Sequence, residues 1–328
     1  MKVLITGVAG FIGFHLSQHL LRKNFDIIGI DNVNDYYDLN LKNNRLKILY
    51  QDNIYFKKIN IADKTKIEEL FNVERPSLVI HLAAQAGVRY SINNPNEYIT
   101  SNIVGFQNII ESCCKFNVNH LMYASSSSVY GLNDKTPFSE NDKTDNPANL
   151  YGATKKSNEL VAFSYSNLYS LPTTGLRLFT VYGPWGRPDM AYFKFTKNVI
   201  EGKPISLYGN GNMYRDFTYI DDVVNAITKL MNIRPKKNNN QKMNQVPAEV
   251  YNIGNSNAVF LEDFVKIIED VTGKKAIKNY LPMQMGDIYK TFADINKLHN
   301  LINFKPVTNI NEGLPLFVDW YRSFYKYS

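Results

Sequence analysis

Short apolar runs alternate with longer amphipathic stretches through the first half of the chain. Residues 3–5 are apolar, and residues 11–23 repeat apolar positions every three or four residues, as in a helix packed on a sheet. This alternation predicts strands at residues 2–6, 26–30, 54–58, 78–82, 120–124, 173–179 and 250–253. It predicts helices at residues 11–23, 64–71, 99–115 and 151–169. Strands that alternate with helices predict an α/β fold built on a doubly wound parallel sheet.

The second half of the chain has a different texture. Residues 180–190 are interrupted by Gly and Pro and predict a loop, and the polar residues 235–244 predict a surface loop. Helical periodicity returns at residues 192–201, 221–231, 260–272, 294–301 and 310–325. We therefore expect two domains. Residues 1–178 with 218–255 would carry the doubly wound sheet, and residues 179–217 with 256–328 would form a smaller C-terminal α+β domain for a second ligand.

A glycine turn joins the first predicted strand to the first helix. Gly7 permits a tight turn, Gly10 lets backbone N–H groups approach a pyrophosphate, and Gly13 lets helix and strand pack closely. The phosphates would lie at the helix N-terminus, which favours anions. Asp31 ends the second strand, where a carboxylate accepts hydrogen bonds from a ribose diol and repels a 2′-phosphate. The stretch predicts a dinucleotide site that takes NAD rather than NADP.

The next strands are followed by Asn60-Ile61, Ala83-Ala84 and Ser125-Ser126. Because the carboxyl ends of parallel strands meet at one edge of a sheet, five strands would contribute to a single site. Tyr151 and Lys155 share one face of a predicted helix. A tyrosine loses its proton near pH 10, so it acts as a base at neutral pH only beside a cation. The pair predicts a catalytic base because it accompanies the glycine turn, although such spacing is also common on ordinary helix surfaces.

Composition narrows the class of protein. The 328 residues are 44% hydrophobic and 20% charged, which is typical of a soluble globular protein. The net charge of +7 includes no basic run with interleaved aromatics, so we expect no nucleic-acid partner, and no apolar run has the length of a membrane helix. The cysteines, Cys113 and Cys114, are adjacent, which argues against disulfides and predicts a cytoplasmic setting. His15 and His19 share a helix face without an acidic or Cys partner, so we expect no metal site.

The motifs together resemble the extended short-chain dehydrogenase/reductases, specifically the nucleotide-sugar epimerases. The resemblance covers nearly the whole chain and rests on Thr6-Gly7-Val-Ala-Gly10-Phe-Ile-Gly13, His81-Leu-Ala-Ala84, Ser125-Ser-Ser-Ser-Val-Tyr-Gly131, Tyr151-x-x-x-Lys155 and Arg215-Asp-Phe-Thr-Tyr-Ile-Asp-Asp222. Further signatures are similar to those of UDP-glucuronate 4-epimerases: Asp31-Asn-Val-Asn-Asp-Tyr-Tyr37, Gln85-Ala-Gly-Val-Arg-Tyr-Ser91 and Gly183-Pro-Trp-Gly-Arg-Pro-Asp-Met-Ala191.

This resemblance implies a catalytic triad of Ser126, Tyr151 and Lys155. As a phenolate, Tyr151 would take the proton of the sugar C4 hydroxyl while NAD accepts the hydride, Lys155 would hold the nicotinamide ribose, and Ser126 would bond the C4 oxygen. The 4-keto sugar would turn over, and the hydride would return to its opposite face. The product would be UDP-galacturonate for surface polysaccharide.

The resemblance also implies ligand contacts and an assembly. NAD contacts are implied at Gly7, Gly10, Phe11, Ile12, Gly13, Asp31, Asn32, Asn60, Ile61, Leu82, Ala83, Ala84, Asn102, Ser125, Tyr151 and Lys155. UDP-sugar contacts are implied at Gln85, Arg89, Ser126, Ser127, Ser128, Thr180, Arg187, Lys194 and Arg215. Arg89 has a structural ion pair as its alternative. A homodimer would form through helices 99–115 and 151–169.

Hydroxyl groups suggest which sugar is used. Related dehydratases and decarboxylases carry carboxylates where this chain has Ser127 or Ser128, and a carboxylate would repel a uronic acid. We hypothesise that these serines and Thr180 bind the C6 carboxylate and restrain loss of carbon dioxide from the 4-keto sugar; the alternative is that the serines only cap a turn. Gln284 lies where galactose-type epimerases place a phosphate-binding Arg. Rival interpretations are a UDP-glucose or UDP-N-acetylglucosamine 4-epimerase, a UDP-glucuronate 5-epimerase, and a catalytically inactive dinucleotide sensor.

Overall fold

The computed structural model describes residues 1–237, 246–284 and 286–327. Most of the surface loop predicted at residues 235–244 therefore lies outside the described residues. The chain divides into two compact units. The first unit comprises Met1–Asn133, Lys143–Arg177 and Val224–Tyr251, and the second comprises Asp134–Asp142, Leu178–Val223 and Asn252–Ser328. Residues 134–142, 178, 218–223 and 252–255 thus belong to the second unit, whereas the sequence pattern assigned them to the first domain.

A seven-stranded sheet forms the centre of the first unit. Its strands in chain order are β1 (Lys2–Thr6), β2 (Asp26–Asp31), β3 (Tyr55–Lys58), β4 (Leu78–His81), β5 (His120–Ser126), β6 (Thr173–Leu178) and β10 (Ala248–Ile253). Their order across the sheet is β10-β6-β5-β4-β1-β2-β3. The pairs β1–β2, β2–β3, β1–β4 and β4–β5 are all parallel. The predicted doubly wound parallel sheet is confirmed.

The helices of the first unit follow the strands. They are α1 (Phe11–Arg22), α2 (Leu39–Gln51), α3 (Lys64–Glu74), α4 (Tyr90–Asn93), α5 (Pro95–Tyr98), α6 (Gly105–Lys115), α7 (Leu150–Tyr169) and α9 (Ile220–Leu230). The helix predicted at residues 99–115 begins as a π-helix, Ile99–Val104, before α6. The sequence pattern missed α2, a polar helix whose N-terminus is capped by Asp38 and which buries Leu41, Leu46 and Leu49.

The core of the first unit explains why its strands are apolar on both faces. Val3, Leu4 and Ile5 of β1 are completely buried, because helices cover both sides of a parallel sheet. One core cluster joins Leu4 and Ile28 of the sheet to Phe71 of α3 and Ile109 of α6. Each such side chain contributes about 1.5–3 kcal/mol when fully buried. This rigid sheet places the strand ends that carry the candidate functional groups.

The second unit is a smaller α+β assembly. Its strands are β7 (Thr180–Tyr182), β8 (Pro204–Leu207), β9 (Tyr214–Tyr219), β11 (Ala258–Phe260), β12 (Ile277–Tyr280) and β13 (Lys290–Thr291). Its helices are α8 (Ala191–Ile200), α10 (Leu261–Thr272), α11 (Asn296–Ile302) and α12 (Ile310–Tyr325). β9 pairs with β7, β11 and β13, and β8 pairs with β12. The loop predicted at residues 180–190 therefore begins as a strand, because Thr180–Tyr182 pairs in parallel with β9.

Aromatic packing stabilises the second unit. The rings of Phe217 and Phe264 stack with centroids 4.6 Å apart, and Phe317 meets Tyr192 edge to face at 4.9 Å. Such pairs add about 0.5–1.5 kcal/mol beyond the area that they bury. In neither unit does a helix of the described residues have the length and apolar character required to cross a membrane.

Candidate active site

The glycine turn closes tightly after β1. Gly7 has φ +80°, and its N–H donates to the Ile30 carbonyl at 2.7 Å. A Cβ at Gly7 would meet the Ala83 nitrogen at 2.8 Å, and one at Gly13 would meet the Gly7 oxygen at 2.1 Å. The turn therefore packs against the end of β4, and α1 starts directly on the turn. Because Gly10 has no side chain to cap α1, the N–H groups of Phe11, Ile12 and Gly13 offer an anion site.

Asp31 joins the glycine turn to the loop after β2. Its Oδ2 accepts a hydrogen bond from the Ala9 N–H at 3.1 Å, and its Oδ1 accepts one from the Val33 N–H at 2.8 Å. Burial raises the pKa of this carboxyl group, against the lowering effect of these bonds. Each carboxylate oxygen retains a second lone pair that can accept a ribose hydroxyl. The loop also contains Asn32, whose side chain accepts from the Asn34 N–H at 3.2 Å.

The ends of β3 and β4 are shaped by internal hydrogen bonds. The Asn60 side chain is exposed and accepts from the Ala62 N–H at 3.0 Å, while Ile61 is buried in the core. Leu82, Ala83 and Ala84 follow β4 and are partly exposed. Main-chain groups at these positions can therefore face a ligand, whereas the Ile61 side chain mainly supports the sheet.

Asn102 is buried within the π-helix, and its amide forms hydrogen bonds with other residues of the protein. Its oxygen accepts from the Gln85 N–H at 2.8 Å, and its nitrogen donates to the Gln85 carbonyl at 3.0 Å and to Thr154 Oγ1 at 3.1 Å. Asn102 thus fixes the backbone after β4 to α7. Gln85 is 4% exposed, and its Nε2 has no hydrogen-bond partner among the described residues. A buried amide donor of this kind is costly unless a ligand accepts from it.

Lys155 and Tyr151 lie on the first turns of α7. The Asn149 side chain caps this helix by accepting from the Gly152 N–H at 2.8 Å. Lys155 is 2% exposed, its Nζ donates to the Ala124 carbonyl at 2.8 Å, and burial lowers its pKa to about 8. Tyr151 is partly buried beside Tyr98, with ring centroids 6.1 Å apart. A buried ammonium one helical turn from a phenol can stabilise the phenolate electrostatically.

The hydroxyl run lies directly against α7. Ser126 ends β5, and its Oγ accepts from the Ser128 N–H at 3.1 Å and lies 3.2 Å from Ser128 Oγ. A Cβ at Gly152 would come within 2.5 Å of the Ser128 carbonyl oxygen, so the residue after Tyr151 touches the turn that carries the hydroxyls. The short 3-10 turn Ser127–Tyr130 is capped by Ser126, so capping does not account for the Ser127 and Ser128 hydroxyls.

Ser125 faces the protein interior. Its Oγ donates to Glu159 Oε1 at 2.7 Å, and the residue is almost fully buried. A cofactor contact from Ser125 would therefore use its main chain. Arg89 is exposed after β4. His81 is buried against Thr6, with Nδ1 2.9 Å from Thr6 Oγ1, and burial, with a smaller contribution from Lys155, lowers its pKa to about 3. A neutral, hydrogen-bonded His81 has a structural role at the end of β4.

Two arginines of the second unit have protein partners. Arg187 Nε donates to Asp189 Oδ1 at 3.0 Å in a two-bond ion pair. Arg215 Nη1 donates to the carbonyls of Tyr214 and Tyr289, at 2.8 Å and 3.1 Å. Lys194 is exposed on α8. Thr180 is partly exposed and pairs with Phe217 in the β7–β9 ladder. These contacts orient the two guanidinium groups before any ligand binds.

Three charged residues important to these sites were not found from the sequence. Glu159 and Arg177 form a buried ion pair in the first unit. Asp216, in the second unit, is fully buried and accepts from the N–H groups of Asn255, Ser256 and Ala293 and from the Thr218 hydroxyl. Burial raises the Asp216 pKa to about 6. Its only sequence signal is its place beside Arg215. Among residues 1–237, 246–284 and 286–327, no three His, Cys, Asp or Glu side chains cluster as a metal site.

Comparison with known proteins agrees with this geometry. Residues 3–254 match the NAD dependent epimerase/dehydratase family. The chain is 52% identical to Protein CapI of Staphylococcus aureus, covering 99% of this chain and 100% of that protein. It is 47% identical to UDP-glucuronate 4-epimerase 4 of Arabidopsis thaliana, covering 99% and 76% respectively. The structure of UDP-glucuronic acid 4-epimerase from Bacillus cereus with UDP-glucuronic acid and NAD is 34% identical, with a TM-score of 0.90 and coverage of 99% and 100%. The resemblance to nucleotide-sugar epimerases is thus confirmed, and the chain belongs to the NAD-dependent epimerase/dehydratase family of enzymes.

Proposed function

We propose that this enzyme is an NAD-dependent UDP-glucuronate 4-epimerase that forms UDP-galacturonate. One observation carries the proposal: Tyr151 and the buried Lys155 lie against a turn whose side chains are Ser126, Ser127 and Ser128, with no carboxylate among them. A base paired with a cation suits oxidation at C4. Hydroxyls without a carboxylate suit a sugar that carries its own carboxylate. The A. thaliana and B. cereus relatives carry the same activity in their names.

The first unit fits NAD. The N-terminus of α1 has no side-chain cap, so its N–H groups can bind phosphate. Asp31 can accept hydrogen bonds from a ribose diol, and the unsatisfied Gln85 amide donor lies at the same edge of the sheet. The N–H groups of Phe11, Ile12 and Gly13 hold the pyrophosphate, and Gly7 and Gly10, which lack side chains, let it approach the turn closely. Asp31 repels a 2′-phosphate and so selects NAD. When bound, NAD supplies a reversible hydride acceptor next to the sugar C4. The first unit is accordingly the NAD-binding domain of the proposal.

The residues of α7 and β5 move and hold the proton. Lys155 stabilises the phenolate form of Tyr151, which takes the proton of the C4 hydroxyl and becomes a neutral phenol. Ser126 donates to the C4 oxygen, which becomes a ketone oxygen. Positioned proton transfer contributes about 10²–10⁴-fold to a rate. Because the Lys155 ammonium is already hydrogen-bonded to Ala124, little reorganisation is required during the reaction.

The carboxylate of the sugar is assigned to hydroxyl groups. Ser127 and Ser128, together with Thr180, donate hydrogen bonds to it without supplying a proton for elimination. They also hold its C–C bond away from alignment with the C4 ketone, which limits decarboxylation. A UDP-hexose carries no C6 carboxylate for these donors to bind. A 5-epimerase requires a base at C5, and the hydroxyl turn provides none.

The second unit is proposed to bind the UDP moiety. Arg215, Lys194 and Arg187 are the proposed contacts to the diphosphate and its neighbouring groups. A guanidinium binds phosphate oxygens through paired donors, and the carbonyls of Tyr214 and Tyr289 pre-orient that of Arg215. Ordering a long side chain in advance reduces the entropy lost when the ligand binds. Arg89, exposed in the first unit, is the remaining proposed substrate contact.

The proposed assembly is a homodimer. On α7, Leu160 is 60% exposed and Phe163 is 50% exposed, and they share one face of the helix. Val104, at the end of the π-helix before α6, is also exposed. Apolar side chains grouped in this way favour association with a second copy through the helices named in the family resemblance.

The proposed role in polysaccharide synthesis is supported by the use of UDP-sugars as glycosyl donors. The cytoplasmic setting stays a prediction from Cys113 and Cys114.

The test is to incubate the purified protein with UDP-glucuronate and follow the anomeric and H4 signals by proton NMR. UDP-galacturonate formed without added NAD supports the reaction and a resident cofactor. UDP-glucose and UDP-N-acetylglucosamine are assayed in parallel, and preferential conversion of either refutes the substrate assignment. Appearance of the C5 epimer identifies the alternative isomerase. No turnover of any sugar, with NAD retained, supports an inactive sensor instead.

A further inference from the structure

A buried carboxylate continues the catalytic face of α7. Glu159 follows Tyr151 and Lys155 at successive intervals of four residues, so all three share one side of the helix. Glu159 is 7% exposed. It accepts three short hydrogen bonds, from Ser125 Oγ at 2.7 Å and from Arg177 Nε and Nη2 at 2.8 Å each. The catalytic helix is therefore bonded to β5 at the residue before Ser126 and to β6 through Arg177.

Arg177 also connects the ion pair to the turn that contains the hydroxyl groups. Its Nη1 donates to Tyr130 OH at 3.1 Å, and its guanidinium lies over the Tyr130 ring, 5.0 Å from the centroid. Tyr130 is the last residue of the turn Ser127–Tyr130. One ion pair thus holds both ends of the segment that contains Ser126, Ser127 and Ser128. Ser125 fixes the start of that segment and Tyr130 fixes its end.

The desolvation cost of the buried Glu159–Arg177 ion pair indicates that the pair serves to position other groups. Two charges removed from water lose solvation that their attraction repays only in part, so a buried pair adds little to stability compared with apolar residues of similar volume. Ser126 has extended backbone angles, φ −157° and ψ 152°. Successive side chains of an extended strand point to opposite faces. Locking the Ser125 hydroxyl onto Glu159 therefore determines the direction of the Ser126 hydroxyl.

We propose that Glu159 and Arg177 are positioning residues that set the Ser126–Ser128 hydroxyls relative to Tyr151 and Lys155. The inference rests on the proposed function in so far as those hydroxyls meet the sugar. The pair touches neither sugar nor cofactor. It acts on the chemical step, because misplacement of a catalytic group by about 1 Å costs roughly 10²-fold in rate. It has little effect on binding of NAD or of the UDP moiety.

The decisive experiment replaces the pair by apolar residues in the double variant Glu159→Leu/Arg177→Met. This variant avoids an unpaired buried charge, so it is expected to fold where Glu159→Gln alone fails. We expect kcat to fall about 10- to 100-fold, with KM within roughly threefold of wild type and NAD content unchanged. Because a misplaced Ser126 impairs completion of the cycle, absorbance at 340 nm should show NADH accumulating during turnover. A double variant that folds with the wild-type kcat overturns the proposal, and so does one whose loss lies entirely in KM or NAD content.

Ser125 supplies the matched pair of single variants. Ser125→Ala removes only the bond to Glu159, and we expect a kcat loss of about 3- to 10-fold in the same pattern. Ser125→Thr retains the hydroxyl and should restore most of that loss. Equal activity of the Ala and Thr variants contradicts the proposal. Wild-type protein is assayed on UDP-glucuronate, UDP-glucose and UDP-N-acetylglucosamine. The sugar that it converts tests the proposed function, whereas the variant-to-wild-type ratio on that sugar tests the positioning role.

Discussion

Lys155 in the first unit and Arg215 in the second are both basic side chains oriented by main-chain carbonyls, but their burial differs. Lys155 donates to Ala124 from a site that is almost fully buried, and burial lowers its pKa to about 8. Arg215 donates to Tyr214 and Tyr289 and remains partly exposed. An ammonium can change its protonation state near neutral pH when buried, whereas a guanidinium stays charged. The charge of Lys155 in the first unit can therefore change near neutral pH, whereas that of Arg215 in the second unit is permanent.

The same contrast extends to the groups around each residue. In the first unit, the candidate groups are backbone N–H groups and short hydroxyls at the ends of five parallel strands. In the second unit they are long side chains, one of them held by Asp189. Burial opposes ionisation of Asp189, but the charge and hydrogen bonds of Arg187, the Asp189 main-chain N–H and the Lys194 charge together outweigh it and hold the Asp189 pKa below its usual range. In the proposed function, the chemical step depends on groups held at the strand ends and on α7, and binding of the diphosphate depends on pre-oriented side chains with fixed charge.

The largest expected effect is that of Tyr151→Phe. Without the phenol oxygen no group of α7 accepts the C4 proton, so kcat should fall by about 10²–10⁴-fold. NAD content and the melting temperature should stay near wild type, because the ring and its contact with Tyr98 remain. Steady-state kinetics and the NAD content of the purified variant provide the measurement. A variant with more than a tenth of wild-type kcat is incompatible with Tyr151 as the base.

Lys155 should also affect stability as pH rises. Its pKa is about 8 in the folded protein against 10.5 in an unfolded chain. Between these values the unfolded chain binds the proton that the folded state has lost, so stability rises with pH. Relative to Lys155→Met, the wild type should gain about 3 kcal/mol between pH 8 and pH 10.5. Urea unfolding of both proteins across this range gives the difference. A flat difference would show that burial does not depress the Lys155 pKa.

The sequence was sufficient for features that depend on backbone spacing. Gly7, Gly13 and Asp31 lie at fixed intervals around a strand–turn–helix unit, and the structure forms that unit. Tyr151 and Lys155 were placed on one helix face by their spacing alone, as α7 has them. Periodicity missed α2, because its few buried apolar residues are spread among polar ones.

Hydrogen-bond and ion-pair partners that are distant along the chain could not be predicted from the sequence. Glu159 and Arg177 are 18 residues apart and meet only because α7 packs next to β6. The acceptors of the Asn102 amide were equally hidden, since Gln85 and Thr154 lie 17 and 52 residues away along the chain. A polar residue on a helix or strand has many conceivable partners, and tertiary packing selects one. Roles that depend on such partners can be assigned only from the three-dimensional structure.

In the second unit, replacing Arg215 should weaken binding more than chemistry. Arg215→Met removes charge-assisted hydrogen bonds worth about 1.5–3 kcal/mol, so KM for the UDP-sugar should rise roughly 10- to 100-fold while kcat changes little. Arg215→Lys should fall in between, because an ammonium lacks the planar fork. Lys203→Met, which removes an exposed cation of the same unit, serves as the control. A KM for Arg215→Met within twofold of wild type would remove Arg215 from the proposed UDP site.

The smallest expected effect distinguishes restraint from binding at Thr180. Thr180→Ala removes one hydroxyl donor from the proposed set around the sugar carboxylate, a loss of about 1 kcal/mol or roughly fivefold. The 4-keto uronic acid then reaches the geometry for decarboxylation more often, releasing carbon dioxide and a 4-keto pentose while NADH remains. NMR should detect the pentose nucleotide, and absorbance at 340 nm should rise.

Thr180→Ser is the matched control, since it keeps the hydroxyl and should behave as wild type. If epimer formation falls in Thr180→Ala without pentose or NADH, Thr180 contributes to binding or folding and does not restrain the carboxylate. If Ser and Ala behave alike, the hydroxyl is irrelevant and the methyl group of Thr180 matters. By-product without loss of epimer formation would show the restraint most directly, because decarboxylation would then have increased while the chemistry at C4 stayed intact.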